Sequence, residues 1–208
     1  QDTGTGGSWP ISTDRMTWAL AAWELYAVTG DRDWLRQAYD IIRRSATADV
    51  YTIWNPHTGL AMGETSFMDW REQSYPRWMD PRDIAQSEAL STNAVHYATG
   101  RILARMASLL GEDGYEEDDG TRHARAIEEH FWTSRAYLGA FRYGRLHLSQ
   151  EMRSDALGSA LAILYGAARD TATRVTIGGT LPVVEFGAPT FWPYIPGVPH
   201  YHNGALWP

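Results

Sequence analysis

The sequence predicts an all-α fold built from helical hairpins, and three observations predict it. Apolar residues recur at spacings of three and four through most of the chain, which is the signature of amphipathic helices. The helical stretches come in pairs joined by short turns, so that partners must run antiparallel. Small residues concentrate on the first, third and fifth helices, where they allow close approach, while the second, fourth and sixth are richer in charge.

Ser12 and Thr13 are good cap residues and Asp14 adds negative charge to a first turn, where it favours the helix dipole. Trp18, Leu20, Ala21, Ala22, Leu25 and Val28 then form the stripe of the first helix, which Thr29-Gly30 stops. Asp31 caps a second helix with Trp34, Leu35, Ala38, Ile41 and Ile42 inside. Residues 48–86 read as mostly irregular, with Asn55-Pro56-His57-Thr58-Gly59 as a turn. A third helix is expected from about Ser87 to Leu110, closed by Gly111 and a solvated acidic run, Glu112 to Asp119. The fourth runs from about Thr121 to Trp132, and Tyr137 to Tyr143 reads as short β structure. The fifth covers about Met152–Ala168 and the sixth about Asp170–Gly178; residues 180–208 are rich in proline and aromatics, without periodicity. Three hairpins with alternating inner and outer helices describe part of an α/α toroid with long aromatic-rich loops. A toroid's site is expected at the ring end that collects those loops.

Composition closes several function classes. The chain of 208 residues has no cysteine, so neither disulfides nor thiolate chemistry enter. All 18 basic residues are arginine, which closes lysine Schiff-base mechanisms. A net charge of -7 argues against a nucleic-acid partner. No apolar run approaches membrane-spanning length, so no membrane partner is expected, and no signal-peptide pattern speaks for one compartment. The histidines are scattered without metal-ligand spacing, and no glycine-rich dinucleotide fingerprint occurs, so no catalytic metal or other cofactor is expected; calcium in the acidic Glu112 to Asp119 run is the one alternative.

Residues 63–78 carry the most chemical information. Glu64, Asp69, Arg71 and Glu72 stand among Phe67, Trp70 and Trp78, a mixture of carboxylates and indole faces that suits a sugar. Carboxylates bond hydroxyls, and aromatic faces cover the C–H faces of a pyranose. Long aromatic loops of this kind are commonly functional.

Glu64-Thr65-Ser66-Phe67-Met68-Asp69 followed by Arg77-Trp78 resembles the Glu-Ser-Gly-Trp-Asp…Arg-Trp signature of trehalases and processing α-glucosidases. Ser66-Phe67-Met68-Asp69 is also similar to the Thr-Trp-Met-Asp segment of glycogen-debranching glucosidases. Asp14-Arg15 resembles, in reversed order, the pair with which these enzymes hold a terminal sugar. Glu88 and Asn93 resemble the debranching Glu-x-Asn-Ala segment with three extra residues between them, and Tyr201-His202-Asn203 to Pro208 resembles Tyr-His-Gln-Gly-Thr-Val-Trp-Pro. The resemblance is to the six-hairpin (α/α)6 glycosidases and spans most of the chain. Met68 replaces the family's tryptophan, and Arg71-Glu72-Gln73 replaces its small polar run, so the subfamily stays open.

The resemblance implies an inverting, exo-acting hydrolase of an α-linked glucoside or mannoside, with Asp69 as general acid. Inversion needs a second carboxylate about 6.5–9.5 Å away to activate water, and that base is expected downstream of residue 208. Asp14, Arg15, Glu64, Trp70, Arg71, Glu88, Asn93, Asp155, Tyr201, His202 and Asn203 are the expected substrate-binding residues, Glu64, Glu88 and Asp155 either touching sugar or supporting groups that do, with capping of a helix as the alternative for each of these three. Residues 1–208 are expected to be one partial catalytic domain whose partner, besides its oligosaccharide, is the rest of the toroid in the same or another chain. Two alternatives remain at this point: a toroid epimerase or isomerase using His57, His96 and His202, and a carbohydrate-binding module without catalysis.

Overall fold

The computed structural model describes residues 13–63, 81–112, 118–133, 141–142, 152–185, 187–194 and 206–207. Helix α1 (Asp14–Thr29) and helix α2 (Arg32–Thr52) form the first hairpin. The Asp31 carboxylate accepts from the N–H groups of Asp33 and Trp34, satisfying two of the donors that a helix start leaves open. A small hairpin follows, β1 (Trp54–Asn55) against β2 (Leu60–Ala61), and then a short helix α3 (Pro81–Ala85). Strand β3 (Glu88–Ala89) leads straight into helix α4 (Leu90–Leu110), which turns back into helix α5 (Asp118–Phe131). Strand β4 (Phe141–Arg142) pairs antiparallel with β3. Strand β5 (Ser154–Asp155) opens helix α6 (Ala156–Tyr165), and helix α7 (Thr171–Thr180) returns alongside it. Strands β6 (Ala188–Pro189), β7 (Phe191–Trp192) and β8 (Leu206–Trp207) complete the order; β7 pairs with β5, and β8 with β6.

Helix α4 is the centre of the arrangement. It packs against α1 on one side and α6 on the other, and it carries α2 and α5 as well. This is the expected alternation: α1, α4 and α6 lie side by side, and α2, α5 and α7 each pack on their own hairpin partner. Two apolar clusters share α4. One gathers Ala19, Ala22, Leu35, Ile42, Leu103 and Met106 from the α1–α2–α4 side. The other gathers Leu60, Leu90, Ile127, Phe131, Ala162 and Ile177 from the α4–α7 side. The three inner helices all stop on glycine in the left-handed region, Gly30, Gly111 and Gly166, where a side chain would be strained.

Several boundaries and faces differ from the sequence expectation. Thr13 is the N-cap of α1 by position, but its hydroxyl makes no cap bond. It lies 2.8 Å from the Thr92 hydroxyl and so ties α1 to the first turn of α4. The stripe Trp18, Leu25 and Val28 is exposed. The face of α1 that enters the core is Met16, Ala19 and Ala22, so α1 is apolar on two sides. Helix α2 runs on to Thr52 through residues expected to be irregular, and Ile41 is outside the core. Helix α6 begins at Ala156 rather than near Met152, because Ser154 and Asp155 are engaged in the ladder with β7. Among the described residues, no helix is long and apolar enough to cross a membrane.

Candidate active site

Two inner helices begin with a buried carboxylate. Glu88 precedes α4 by two residues and Asp155 is the N-cap of α6; each is 3% exposed. Because α4 and α6 pack together in the same direction of chain travel, one end of the layer collects both groups.

Glu88 is held from three sides. Its Oε1 accepts from Asn55 Nδ2 at 2.8 Å and from the Thr58 hydroxyl at 2.6 Å. Its Oε2 accepts from Arg142 Nη1 at 2.8 Å. The β1–β2 turn supplies the first two partners, and the β3–β4 ladder, which registers Glu88 opposite Arg142, supplies the third. The turn is built for this: the Asn55 side-chain oxygen accepts the His57 N–H at 3.0 Å, and Gly59, at φ 70, returns its N–H to the Asn55 carbonyl. A paired, hydrogen-bonded carboxylate is what an interior tolerates.

Asn93 has no exposed surface. Its Oδ1 accepts the Ala61 N–H at 2.7 Å, and its Nδ2 donates to the carbonyls of Ala61 and Ala89 at 3.1 and 2.9 Å. It therefore latches strand β2 onto α4. His123 of α5 adds its Nε2, 3.0 Å from Asn93 Oδ1. Burial, with the nearby His96 as a lesser cause, pushes the His123 pKa down to about 3. The ring stays neutral and stands edge-on to Trp54, centroids 4.7 Å apart, while His96 approaches the same indole at 5.8 Å.

The Asp155 carboxylate accepts the Gly158 N–H at 2.8 Å. Burial pushes its pKa up to about 7, against the opposing pull of the N–H groups of Gly158, Leu157 and Ser91. The Ser91 bond connects this cap to the first turn of α4. A carboxyl so placed carries a proton near neutrality, which is the state a general acid or a hydroxyl donor needs.

The structure thus brings three sequence-predicted residues, Glu88, Asn93 and Asp155, to the start of the inner helices. Asp14 and Arg15 open α1 as its first residues. Glu64, Asp69, Trp70, Arg71, Tyr201, His202 and Asn203 lie outside the described residues. Of the histidines weighed for proton transfer on carbon, His57 is exposed, His96 is buried and His202 lies outside the described residues. Sequence reasoning missed Asn55, Thr58 and Arg142 as partners of Glu88, and His123 as partner of Asn93. One signal was present: Ser87-Glu88-Ala89-Leu90 and Ser154-Asp155-Ala156-Leu157 are the same Ser-acid-Ala-Leu pattern, each at the entrance to an inner helix. Among the described residues, no three His, Asp or Glu side chains form a group that could hold a metal ion.

Comparison with known proteins places the chain beside one family model and several solved structures. The sequence model of the bacterial alpha-L-rhamnosidase six-hairpin glycosidase domain matches residues 7–177. Among solved structures, the chain is similar to the crystal structure of a GH78 family rhamnosidase of Bacillus sp. GL1, with a TM-score of 0.60 at 17% sequence identity. That match covers 80% of this chain and 17% of the Bacillus chain, so this chain spans about a sixth of that protein's length and the likeness is one of fold. No curated protein matches.

Proposed function

Because the chain belongs to the bacterial alpha-L-rhamnosidase six-hairpin glycosidase domain family, we propose that it forms part of a glycoside hydrolase that removes a terminal α-linked sugar with inversion. The family match over residues 7–177 carries this reading. The buried carboxyls at the entrances of α4 and α6 support it, because they gather acids at the ring end where a toroid's site is expected.

The substrate we propose is an α-L-rhamnoside, as the family's name suggests. L-rhamnose is 6-deoxy-L-mannose, so this choice departs from the glucoside or mannoside expected from sequence. Asp69 is the proposed general acid. Glu64, Trp70, Arg71, Tyr201, His202 and Asn203 are proposed to line the sugar with Asp14 and Arg15. Glu88, Asn93 and Asp155 are proposed as positioning residues, because their polar atoms bond within the protein. The catalytic base is proposed to come from the rest of the toroid. The exposed stripe of Trp18, Leu25 and Val28 on α1 supports such a partner, since a contiguous apolar helix face is costly to leave in water.

The test uses the whole protein and three aryl glycosides: α-L-rhamnoside, α-mannoside and α-glucoside. Aryl alcohol should be released fastest from the rhamnoside, and proton NMR should show the β-sugar as the first product. Release of the α-anomer first would overturn inversion, and no release from any of the three would overturn the hydrolase.

A further inference from the structure

A cavity of about 600 Å3 opens between α2, α4 and α5, beneath the β1–β2 turn. It lies within the range of roughly 300–1,000 Å3 that small-ligand pockets span. It adjoins the carboxyl cluster through Thr58, the partner of Glu88 that also lines the cavity, but neither Glu88 nor Asp155 does. One wall is the half-buried indole of Trp54, whose plane is held by the two histidine rings standing edge-on to it. His123 is in turn locked to Asn93. A buried polar anchor therefore fixes an aromatic face in a cavity wall, which is more than filling the core requires.

The mouth of the cavity carries Arg125 and Glu129, one turn apart on the exposed side of α5. The same two residues, with Glu128 and Trp132, line a neighbouring hollow of about 400 Å3. Positions 125, 129 and 132 follow the i, i+4, i+7 spacing of one helix face, and the Trp132 side chain is 37% exposed. A groove thus runs from one tryptophan to another across a guanidinium and a carboxylate. Sugar hydroxyls both donate and accept hydrogen bonds, and such a pair serves both roles. The C–H faces of a pyranose stack on the indoles. Arg101, Arg122 and Arg125 line the groove beside Glu128 and Glu129, so charge does not choose the occupant; the two indoles do, because they stack on the C–H faces of a neutral pyranose.

We propose that this groove is a second binding site, distinct from the buried carboxyl cluster, for a neutral oligosaccharide chain. It rests on the glycosidase reading for its ligand class and adds a place to hold the substrate polymer beyond the bond being cleaved.

The experiment follows the indole N–H signals of Trp54 and Trp132 in the 15N-labelled whole protein during titration with a neutral α-linked rhamnose trisaccharide. Trigalacturonate serves as the acidic control, and an aryl α-L-rhamnoside reports hydrolysis. Both indole signals should shift with the neutral trisaccharide at millimolar concentration. Arg125→Ala and Trp132→Ala should each weaken that binding about tenfold, the equivalent of about 1.4 kcal/mol, with aryl rhamnoside turnover unchanged. Shifts without any hydrolysis would leave the site standing and sink the catalytic reading. Hydrolysis without indole shifts, shifts with trigalacturonate alone, or the parent's affinity retained in both variants would sink the second site.

Discussion

His123 donates its Nε2–H to Asn93 Oδ1 across 3.0 Å, and the other partners of Asn93 fix the direction of that bond. Asn93 Oδ1 already accepts the Ala61 N–H, and both Nδ2 hydrogens are spent on carbonyls. The amide orientation is therefore set, and an oxygen facing His123 requires the Nε2–H tautomer. One asparagine so joins strand β2, helix α4 and helix α5.

Replacing Asn93 with alanine leaves the Ala61 N–H, the Ala61 carbonyl and the His123 N–H without that partner in a dry interior. Each buried group left unsatisfied costs about 1–3 kcal/mol. Asn93→Ala is expected to destabilise the protein by roughly 3–5 kcal/mol in urea unfolding. A loss under about 1 kcal/mol would mean that water or a rearranged hairpin replaces the latch.

The same pair sets an acid limb. The native pKa of His123, about 3, lies below the usual 6.5. The unfolded state then takes up the proton first as pH falls. The stabilisation is complete above pH 6.5 and is lost as pH drops toward 3, an effect on the order of a few kcal/mol. His123→Gln keeps a donor for Asn93 and cannot be protonated. Its melting temperature is expected to fall less than that of the parent between pH 7 and 4, and an unchanged slope would show that other groups govern the acid limb.

Asp155 has the opposite sign. Its native pKa, about 7, lies above the usual 3.8. The native state holds the proton first, so this stability is complete below pH 3.8 and is lost as pH rises through 7. Asp155→Asn imitates the protonated group and keeps an oxygen for the Gly158 N–H. At pH 8 the variant is expected to melt at least as high as the parent. A clear drop there would show that the carboxylate charge itself caps α6, as a helix N-terminus can favour.

The architecture was legible wherever periodicity and punctuation acted together. Gly30 and Asp31 announced the first hairpin, and Gly111 the end of α4, because a left-handed glycine or a cap aspartate acts locally. The ladders β3–β4 and β5–β7 were not legible. Each is two residues long, joins segments distant in sequence, and offers no alternation to read. That is why periodicity alone starts α6 too early and does not pair Arg142 with Glu88. The α1 stripe misled for another reason. The helix has two apolar faces, and periodicity names apolar faces without saying which one the described residues cover. At the site, the acidic character of Glu88 and Asp155 was readable, but their partners come from turns and ladders that only the folded chain assembles.

Gly158 separates propensity from packing. Alanine in a helix interior gains up to about 1 kcal/mol over glycine. At this position a Cβ would collide with Asp155 Oδ2 and lie 2.9 Å from Leu90 Cγ. Both neighbours are buried, so neither moves without disturbing the cap or the core. Overpacking of this kind costs about 1–3 kcal/mol, so Gly158→Ala is expected to destabilise despite its helix propensity. It should also shift the pH dependence assigned to Asp155. A stabilised variant in thermal melts would mean that the cap relaxes away from α6.

Asp69→Asn tests the proposed chemistry through the leaving group. A general acid matters most when the departing oxygen is basic and must be protonated as the bond breaks. A dinitrophenolate leaves well without help; an alkoxide does not. General acid catalysis contributes about 10²–10⁴-fold, so Asp69→Asn is expected to slow an alkyl rhamnoside by that factor while slowing a dinitrophenyl rhamnoside far less. The variant should also lose the alkaline limb of the parent's pH–rate profile, because that limb records loss of the acid's proton. Equal slowing of both substrates, with the limb intact, would assign Asp69 to binding and move the acid elsewhere in the toroid.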